Sequence, residues 1–415
     1  MARRIVMKFG GTSMASNDAR AEAVARVSEH HYQGDSVVVV VSAMGRKGQP
    51  YATDTLLALA AIREETGLCG CDLAPRERDA IAACGEDLSA AVLASELIAR
   101  DLPAISLRSH QAGIITDGVF GNARIAKVET SLIERRLDEG RIVVVTGFQG
   151  VSPDGDITTL GRGGSDTSAV ALGVALKADL VEIYTDVDGI YSADPKMVPE
   201  AIPIPVLPYR EAAEMAHGGA RVLHPRAAEL AERYSLNLRI CNTFSRAPGT
   251  LLTTAERLTE EGLDARPDRL ARAVTSFSPV AQVSVCDERL AEHFDHTVAL
   301  LEALAEAHLS LDMINVHPDR LIFTLAADRG AEARAIVENA GYSLLSRDLC
   351  AKVSLIGGGI HGVPGVVARI ARLLACAGVP ILQSVDSSMH ISVLVACEQE
   401  ACAVRALHAG FLNST

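Results

Sequence analysis

The chain has no tryptophan, and aromatic residues make up only 4% of its 415 positions. A platform for stacking nucleic-acid bases is therefore not expected. Positive charge is in deficit: 39 Lys and Arg face 52 Asp and Glu, a formal net charge of −13. That balance argues against nucleic acid or an anionic membrane as partner, and any site for a polyanion must gather its few cations locally. No run of about 20 apolar residues exists, so no membrane-spanning helix is expected. The opening MARRIVMKFGG lacks the apolar stretch of a secretory signal, which fits a cytoplasmic location. The nine cysteines are scattered. They follow no disulfide framework, and the one close pair, Cys69 and Cys71, has no nearby partners for a zinc site, so no resident metal site is expected.

What is present is ample apolar material, 48% of residues, in a chain long enough for two or three domains. The first 245 or so residues alternate strand and helix patterns. Strands are expected at Arg3–Phe9, Val37–Val41, Ile142–Val145 and Leu180–Tyr184. Five consecutive valines mark a strand buried on both faces, as in a parallel sheet. Helices are expected at Asn17–Gln33, Asp54–Glu65, Pro75–Arg100, Ala123–Glu139, Ser165–Lys177 and Pro225–Tyr234. Such alternation implies an α/β sandwich, with ligands beyond the C-terminal ends of the strands. A polar, charged stretch then reads as a linker. Beyond it lies an internal repeat with an offset of 70 positions, pairing Ala307 with Ala377, Leu309 with Val379, Arg320 with His390 and Phe323 with Val393. Each copy reads as strand, helix, strand, turn, strand, and each is small for a free-standing core, so the copies should pack together or across a dimer.

The segments after the strands carry the chemistry. Thr158–Ser168, TTLGRGGSDTS, combines glycines, hydroxyls, Arg162 and Asp166 ahead of an apolar helix. Such a loop can wrap N–H groups around an anion at a helix N-terminus. Arg162 suits a carboxylate or a phosphate, and Asp166 suits a magnesium ion or the orienting of a lysine. Lys8 ends the first strand before Gly10, Gly11, Thr12 and Ser13, without matching the Walker pattern. Ser42 and Thr53 follow the valine strand and either face a substrate or serve as strand exit and helix cap. Gly85 interrupts a helical pattern, which hints at a close approach, and the neighbouring Glu86 can accept from an ammonium group. Thr185, Asp186 and Tyr191 suit a nucleotide pocket; the alternative of a calcium loop lacks the EF-hand spacing. Arg221, beside a glycine turn, can reach phosphates.

In this order, KFGGTS, SAMG…TD, CGE, TGFQG, TTLGRGGSDTS, TDVDGIYSADP and GARVLHP resemble the aspartate kinases of the amino-acid kinase superfamily. The tandem repeats are similar to that family's C-terminal ACT regulatory domains. The resemblance covers nearly the whole chain and looks most like the monofunctional bacterial forms. It implies a three-layer αβα sandwich over residues 1–249, a linker over 250–270, and two ferredoxin-like βαββαβ-type ACT domains over 271–345 and 346–415. It also implies ATP- and Mg²⁺-dependent phosphorylation of the β-carboxylate of L-aspartate to 4-phospho-L-aspartate, which opens the route to lysine, diaminopimelate, threonine and methionine. Carried onto this chain, Lys8 stabilises the transferring phosphoryl group and Asp166 organises Lys8. Thr53, Glu86 and Arg162 hold aspartate, with Ser42, Thr159 and Ser165 as further substrate contacts. Gly10, Gly11, Thr12, Ser13, Thr185, Asp186, Tyr191 and Arg221 line the nucleotide site. Asp312, Asn315, Ser384 and Asp386, in loops after each repeat's second strand, are candidate contacts for a feedback effector: lysine, threonine or diaminopimelate. A homo-oligomer, dimeric through the ACT domains, is expected.

Two departures stand out. Arg221 occupies a position where the family usually has lysine, and arginine there is planar and bulkier. The first repeat has Asp295-His296 where the second has Gly365-Val366, so the two effector sites should not be equivalent. The nearest rivals are a kinase of the same superfamily acting on glutamate, N-acetylglutamate or a nucleoside monophosphate, and a catalytically silent amino-acid sensor. The repeats and the Thr53, Glu86, Arg162 set disfavour the first. Retention of Lys8, Arg162 and Asp166 disfavours the second.

Overall fold

A computed structural model describes residues 2–61, 74–220, 222–260, 270–360 and 362–412. The chain forms two compact units. The first comprises Met1–Ile190, Pro203–Ala213 and Arg221–Ala265; the second comprises Tyr191–Ile202, Glu214–Ala220 and Arg266–Thr415.

The strands of the first unit, numbered along the chain, are β1 (Arg4–Phe9), β2 (Ser36–Val41), β3 (Ala104–Leu107), β4 (Ile114–Thr116), β5 (Ile125–Val128), β6 (Ile142–Thr146), β7 (Gln149–Val151), β8 (Ile157–Thr159), β9 (Leu180–Thr185), β10 (Val206–Pro208), β11 (Leu238–Asn242) and β12 (Thr250–Thr253). Eight of them form one sheet in the order β10-β12-β11-β9-β1-β2-β6-β3. From β11 to β3 every pairing is parallel; β11 and β12 are antiparallel. All five valines of Val37–Val41 are buried, as a strand covered on both faces requires.

Side-chain alternation decides which layer each residue joins. Ile5, Met7 and Phe9 pack with Val37, Val39 and Val41, and with Val24 and Val27 of the helix Asn17–Tyr32 and Leu93 and Leu97 of the helix Pro75–Ile98. Val6 and Lys8 therefore face the opposite layer, where the helix Gly164–Ala175 lies. Each fully buried valine or leucine here contributes about 1.5–3 kcal/mol.

The sequence reading misses a smaller four-stranded sheet, β5-β4-β7-β8. The helix expected over Ala123–Glu139 is instead strand β5 followed by a helix over Ser131–Asp138. Ile125 and Val128 are only half-buried edge residues, so their spacing mimics a helical face without a core behind it. The stretch read as a linker begins with strand β12, paired to β11, and continues as the helix Ala255–Glu260. The helix expected over Asp54–Glu65 is present as Thr53–Ala61; its remainder, like Cys69 and Cys71, lies outside the described residues.

The second unit contains β13 (Ala273–Cys286), β14 (Asp312–His317), β15 (Arg320–Ala326), β16 (Leu344–Ile356), β17 (Gln383–Asp386) and β18 (His390–Ala396) in one sheet, ordered β14-β15-β13-β16-β18-β17. The 70-residue offset is met to the residue by β15 and β18 and by the short helices Ala327–Arg329 and Cys397–Gln399. Two βαββ repeats thus share a single sheet, joined by antiparallel pairing of β13 with β16. At the start of the repeat helices the copies differ: Gly365 adopts a left-handed conformation, whereas His296 Nδ1 lies 2.9 Å from the Tyr342 hydroxyl.

Candidate active site

Beyond the C-terminal ends of β1, β2 and β6 lies an open cavity of about 300 Å³. Lys8, Ser42, Thr53, Glu86, Arg162, Ser165 and Asp166 all line it, joined by Gly11. The pairing of β1 with β2 and β9, on opposite sides, makes this a point where the strand order reverses, which is where open α/β sheets bind ligands.

Lys8 and Asp166 form an ion pair, Nζ to Oδ1 at 2.7 Å, with both side chains largely withdrawn from solvent. Asp166 sits in the first turn of the helix Gly164–Ala175, on the face toward which alternation turns Lys8. That helix begins at Gly163, whose φ of +71° is left-handed and whose Cβ position is occupied by the ring of His224 at 2.1 Å, so no other residue fits. Phe148, in the cavity wall, also adopts a positive φ of 68°. Such a conformation costs a non-glycine residue about 1–2 kcal/mol, and the Phe148 N–H donates to Ser168 Oγ at 3.2 Å.

Glu86 enters from the other layer. It is 2% exposed; its Oε1 accepts the Ala43 N–H at 3.1 Å, and its Oε2 is buried with no hydrogen-bond partner among the described residues. Burial pushes its carboxyl up to about 8, with the Ala43 bond opposing in part. A Cβ at the neighbouring Gly85 would lie 2.7 Å from Ala43 Cβ and 3.1 Å from Tyr51 O, the close approach that its place in a helix suggests. Arg162 is exposed and has no carboxylate partner among the described residues.

Other expected contacts fall elsewhere. Thr159 is buried outside the cavity lining, and its hydroxyl donates to Asp79. Ser13 is fully buried, its hydroxyl 2.7 Å from that of Thr243, so its side chain belongs to the core. Gly10, Thr12, Thr185 and Asp186 lie outside this lining, and Asp186 pairs with Arg46 at 2.6 Å. Tyr191 belongs to the second unit, and Arg221 lies outside the described residues. The sequence reading misses Arg46, Lys47 and Asp54, which line the cavity. Two adjacent cations between Gly45 and Gly48, in an acidic chain, were the available signal. Asp312 and Asn315 lie in β14, Ser384 and Asp386 in β17, rather than in loops. Asp312 pairs with Lys352 at 2.6 Å, and Asn315 Oδ1 accepts from Gln383 at 2.7 Å.

Among the described residues no group of three or more His, Cys, Asp or Glu could hold a metal ion, and no helix is long and apolar enough to cross a membrane.

Residues 3–242 match the amino acid kinase family, and residues 345–409 match the ACT domain. Aspartokinase 1 of Bacillus subtilis (strain 168) is 40% identical over 407 residues, covering 98% of each chain. The aspartokinase of Thermus thermophilus is 36% identical over 420 residues, again covering 98% of each. The fold resembles that of E. coli aspartokinase III in complex with aspartate and ADP, with a TM-score of 0.77 at 26% identity, covering 98% of this chain and 99% of that one. With this agreement of sequence and fold, the chain belongs to the aspartokinases of the amino acid kinase family.

Proposed function

We propose that the cavity transfers the γ-phosphoryl group of ATP to the β-carboxylate of L-aspartate, giving 4-phospho-L-aspartate and ADP, at the head of the route to lysine, threonine and methionine. The observation that carries this reading is the pairing of two unlike recognition groups in one cavity: Glu86, a buried carboxyl, and Arg162, a cation, with one Glu86 oxygen unpartnered and Arg162 without a carboxylate among the described residues. An amino acid offers the ammonium and carboxylate that satisfy both.

The acceptor needs no general base. An aspartate side chain ionises near pH 3.9, so it is already a nucleophile at neutral pH. The work left is to bring one anion up to several others and hold them in line. Lys8, fixed by Asp166, supplies positive charge where it builds up on the phosphoryl oxygens, and Arg46 and Lys47 add cations at the rim. The cavity has scattered carboxylates and hydroxyls rather than a cage, which fits Mg²⁺ carried in on the phosphates, with Asp166 the carboxylate nearest Lys8. When bound, that cation shields the phosphate charge.

The same reading has an amino-acid end product (lysine, threonine or diaminopimelate) binding the second unit near Asp312, Asn315, Ser384 and Asp386. The partly exposed apolar Ile314 and Val316 on edge strand β14 support pairing of two copies through this unit. A cytoplasmic location goes with a biosynthetic enzyme of this kind. The test is ADP release from Mg-ATP with L-aspartate, L-glutamate, N-acetylglutamate and UMP as acceptors. Turnover with L-aspartate alone is expected; turnover with another acceptor, or binding without turnover, overturns the reading.

A further inference from the structure

Asp79 carries no role in the chemistry above, yet both its carboxylate oxygens are bonded beside the loop that leads to Arg162. It lies on the helix Pro75–Ile98 and is 1% exposed. Its Oδ2 accepts the Thr159 N–H at 2.7 Å and the Gly121 N–H at 2.9 Å, and its Oδ1 accepts the Thr159 hydroxyl at 2.9 Å. These bonds bind the end of β8 and the turn at Gly121 to one helix. Around them the Ala123 N–H donates to Thr159 O at 2.9 Å, and the Leu160 N–H donates to Phe148 O at 2.8 Å. Gly161 follows with φ +74°, its Cβ position 3.1 Å from Gly121 O. The next residue is Arg162. Its guanidinium has no carboxylate partner among the described residues, so the backbone beneath it must set where it stands.

Glu86 lies seven residues after Asp79 on the same helix, two turns on and on the same face. One rigid element therefore holds the acceptor for the substrate ammonium directly and the cation for the substrate carboxylate through a three-bond anchor. We infer that Asp79 is a positioning residue: its carboxylate fixes the Arg162 loop at a set separation from Glu86 and so tunes the cavity to the length of aspartate. This inference rests on the reading that Arg162 holds the substrate carboxylate.

Thr159 gives the cleanest perturbation. Thr159→Ser keeps the hydroxyl that Asp79 accepts; Thr159→Val removes it and leaves the buried carboxylate one donor short. A lost bond to a buried charge corresponds to roughly a tenfold change or more. The full-length enzyme is to be measured as wild type, Thr159→Ser, Thr159→Val, Asp79→Ala and Arg162→Ala, with KM for L-aspartate, KM for ATP and kcat taken separately beside a melting curve. The expected result is a KM for aspartate raised about tenfold in Thr159→Val, more in Asp79→Ala, and near wild type in Thr159→Ser, with KM for ATP unchanged. If Asp79→Ala does not fold, the Thr159 pair carries the test. If Arg162→Ala raises the aspartate KM but Thr159→Val leaves it alone, or shifts both substrates' KM together, the anchor is only structural and the inference falls. If Arg162→Ala itself leaves the aspartate KM normal, the role given to Arg162 falls, and the anchor with it.

Discussion

Lys8 and Glu86 line one cavity under opposite electrostatic conditions, and each makes a separate prediction. Lys8 is held by the Asp166 carboxylate 2.7 Å away, in the wall of the cavity. Lys8→Ala should lower kcat by about a hundred- to a thousandfold, the usual cost of removing one group that meets charge in a transition state. Far-ultraviolet circular dichroism of that variant should match wild type. Near-normal kcat would remove Lys8 from the mechanism. Glu86 has the reverse problem: burial disfavours its charge, so with a pKa of about 8 it is protonated in the free enzyme at neutral pH. On the proposed reading, in which Glu86 takes up the substrate ammonium as a carboxylate, binding should release a proton. Below pH 8 the cost grows with each unit of acidity, and kcat/KM for aspartate should fall about tenfold per unit as pH is lowered from 8 to 6. Above 8 the profile should level off. Glu86→Gln should bind weakly and lose the slope; an unchanged slope in that variant would place the titration elsewhere.

The helix Asn17–Tyr32 and strand β9 are tied by a polar network within an apolar layer. His30 Nδ1 lies 2.9 Å from Asp35 and Nε2 lies 3.0 Å from Glu182, which also accepts the Tyr184 hydroxyl at 2.9 Å. Burial pushes the His30 imidazolium down, but the bonds to Glu182 and Asp35 outweigh it and the net shift is upward. The stability this gives is complete below the unfolded value near 6.5 and is lost as pH rises through the higher folded value. Glu182 and Asp35 are shifted downward overall, so their share is present above the usual carboxylate range and is lost as pH falls. The denaturant midpoint should therefore decline from pH 6 to pH 9 in wild type and decline less in His30→Gln. Equal declines would show that another group titrates. Elements of this layer were legible in the sequence because their periodicity and their burial coincide: β2 as a valine run, the helix Pro75–Ile98 from its length. Strand β5 was not legible, because the spacing of its half-buried Ile125 and Val128 copies that of a helical face, and neither was β12, whose polar neighbours masked a short buried pair, Leu252 and Thr253. Within the site, Lys8, Arg162 and Asp166 were readable beside their glycine turns, whereas Arg46 and Lys47, between Gly45 and Gly48, were not. The inward turn of Ser13 and Thr159 was not, since a hydroxyl serves a core and a substrate equally well until its partner is known.

At the scale of the molecule, the kinase and ACT halves were separable by sequence, but the fold divides them differently. Tyr191–Ile202 and Glu214–Ala220, which precede the expected boundary, belong to the second unit. Ala193 and Val198 pack in the core that holds Val274, Val353 and Leu407. Ser192 Oγ lies 2.9 Å from the buried His408, and the Val274 N–H donates to Ser192 O at 2.8 Å. Glu214 faces His390 at 2.8 Å. A gene fragment starting at Arg266 would therefore be cut through its own core. It should bind a hydrophobic dye and sediment as aggregates, whereas the same fragment with the Tyr191–Ile202 peptide restored by a short tether should do neither. A monodisperse, dye-silent 266–415 fragment would contradict this. The wider consequence concerns modularity. A regulatory half that borrows its core from the other half's sequence cannot be traded between enzymes by joining genes at the linker. Chimeras that exchange effector response must carry the borrowed stretches with it, and recombination within this gene is tolerated only where both pieces move as one.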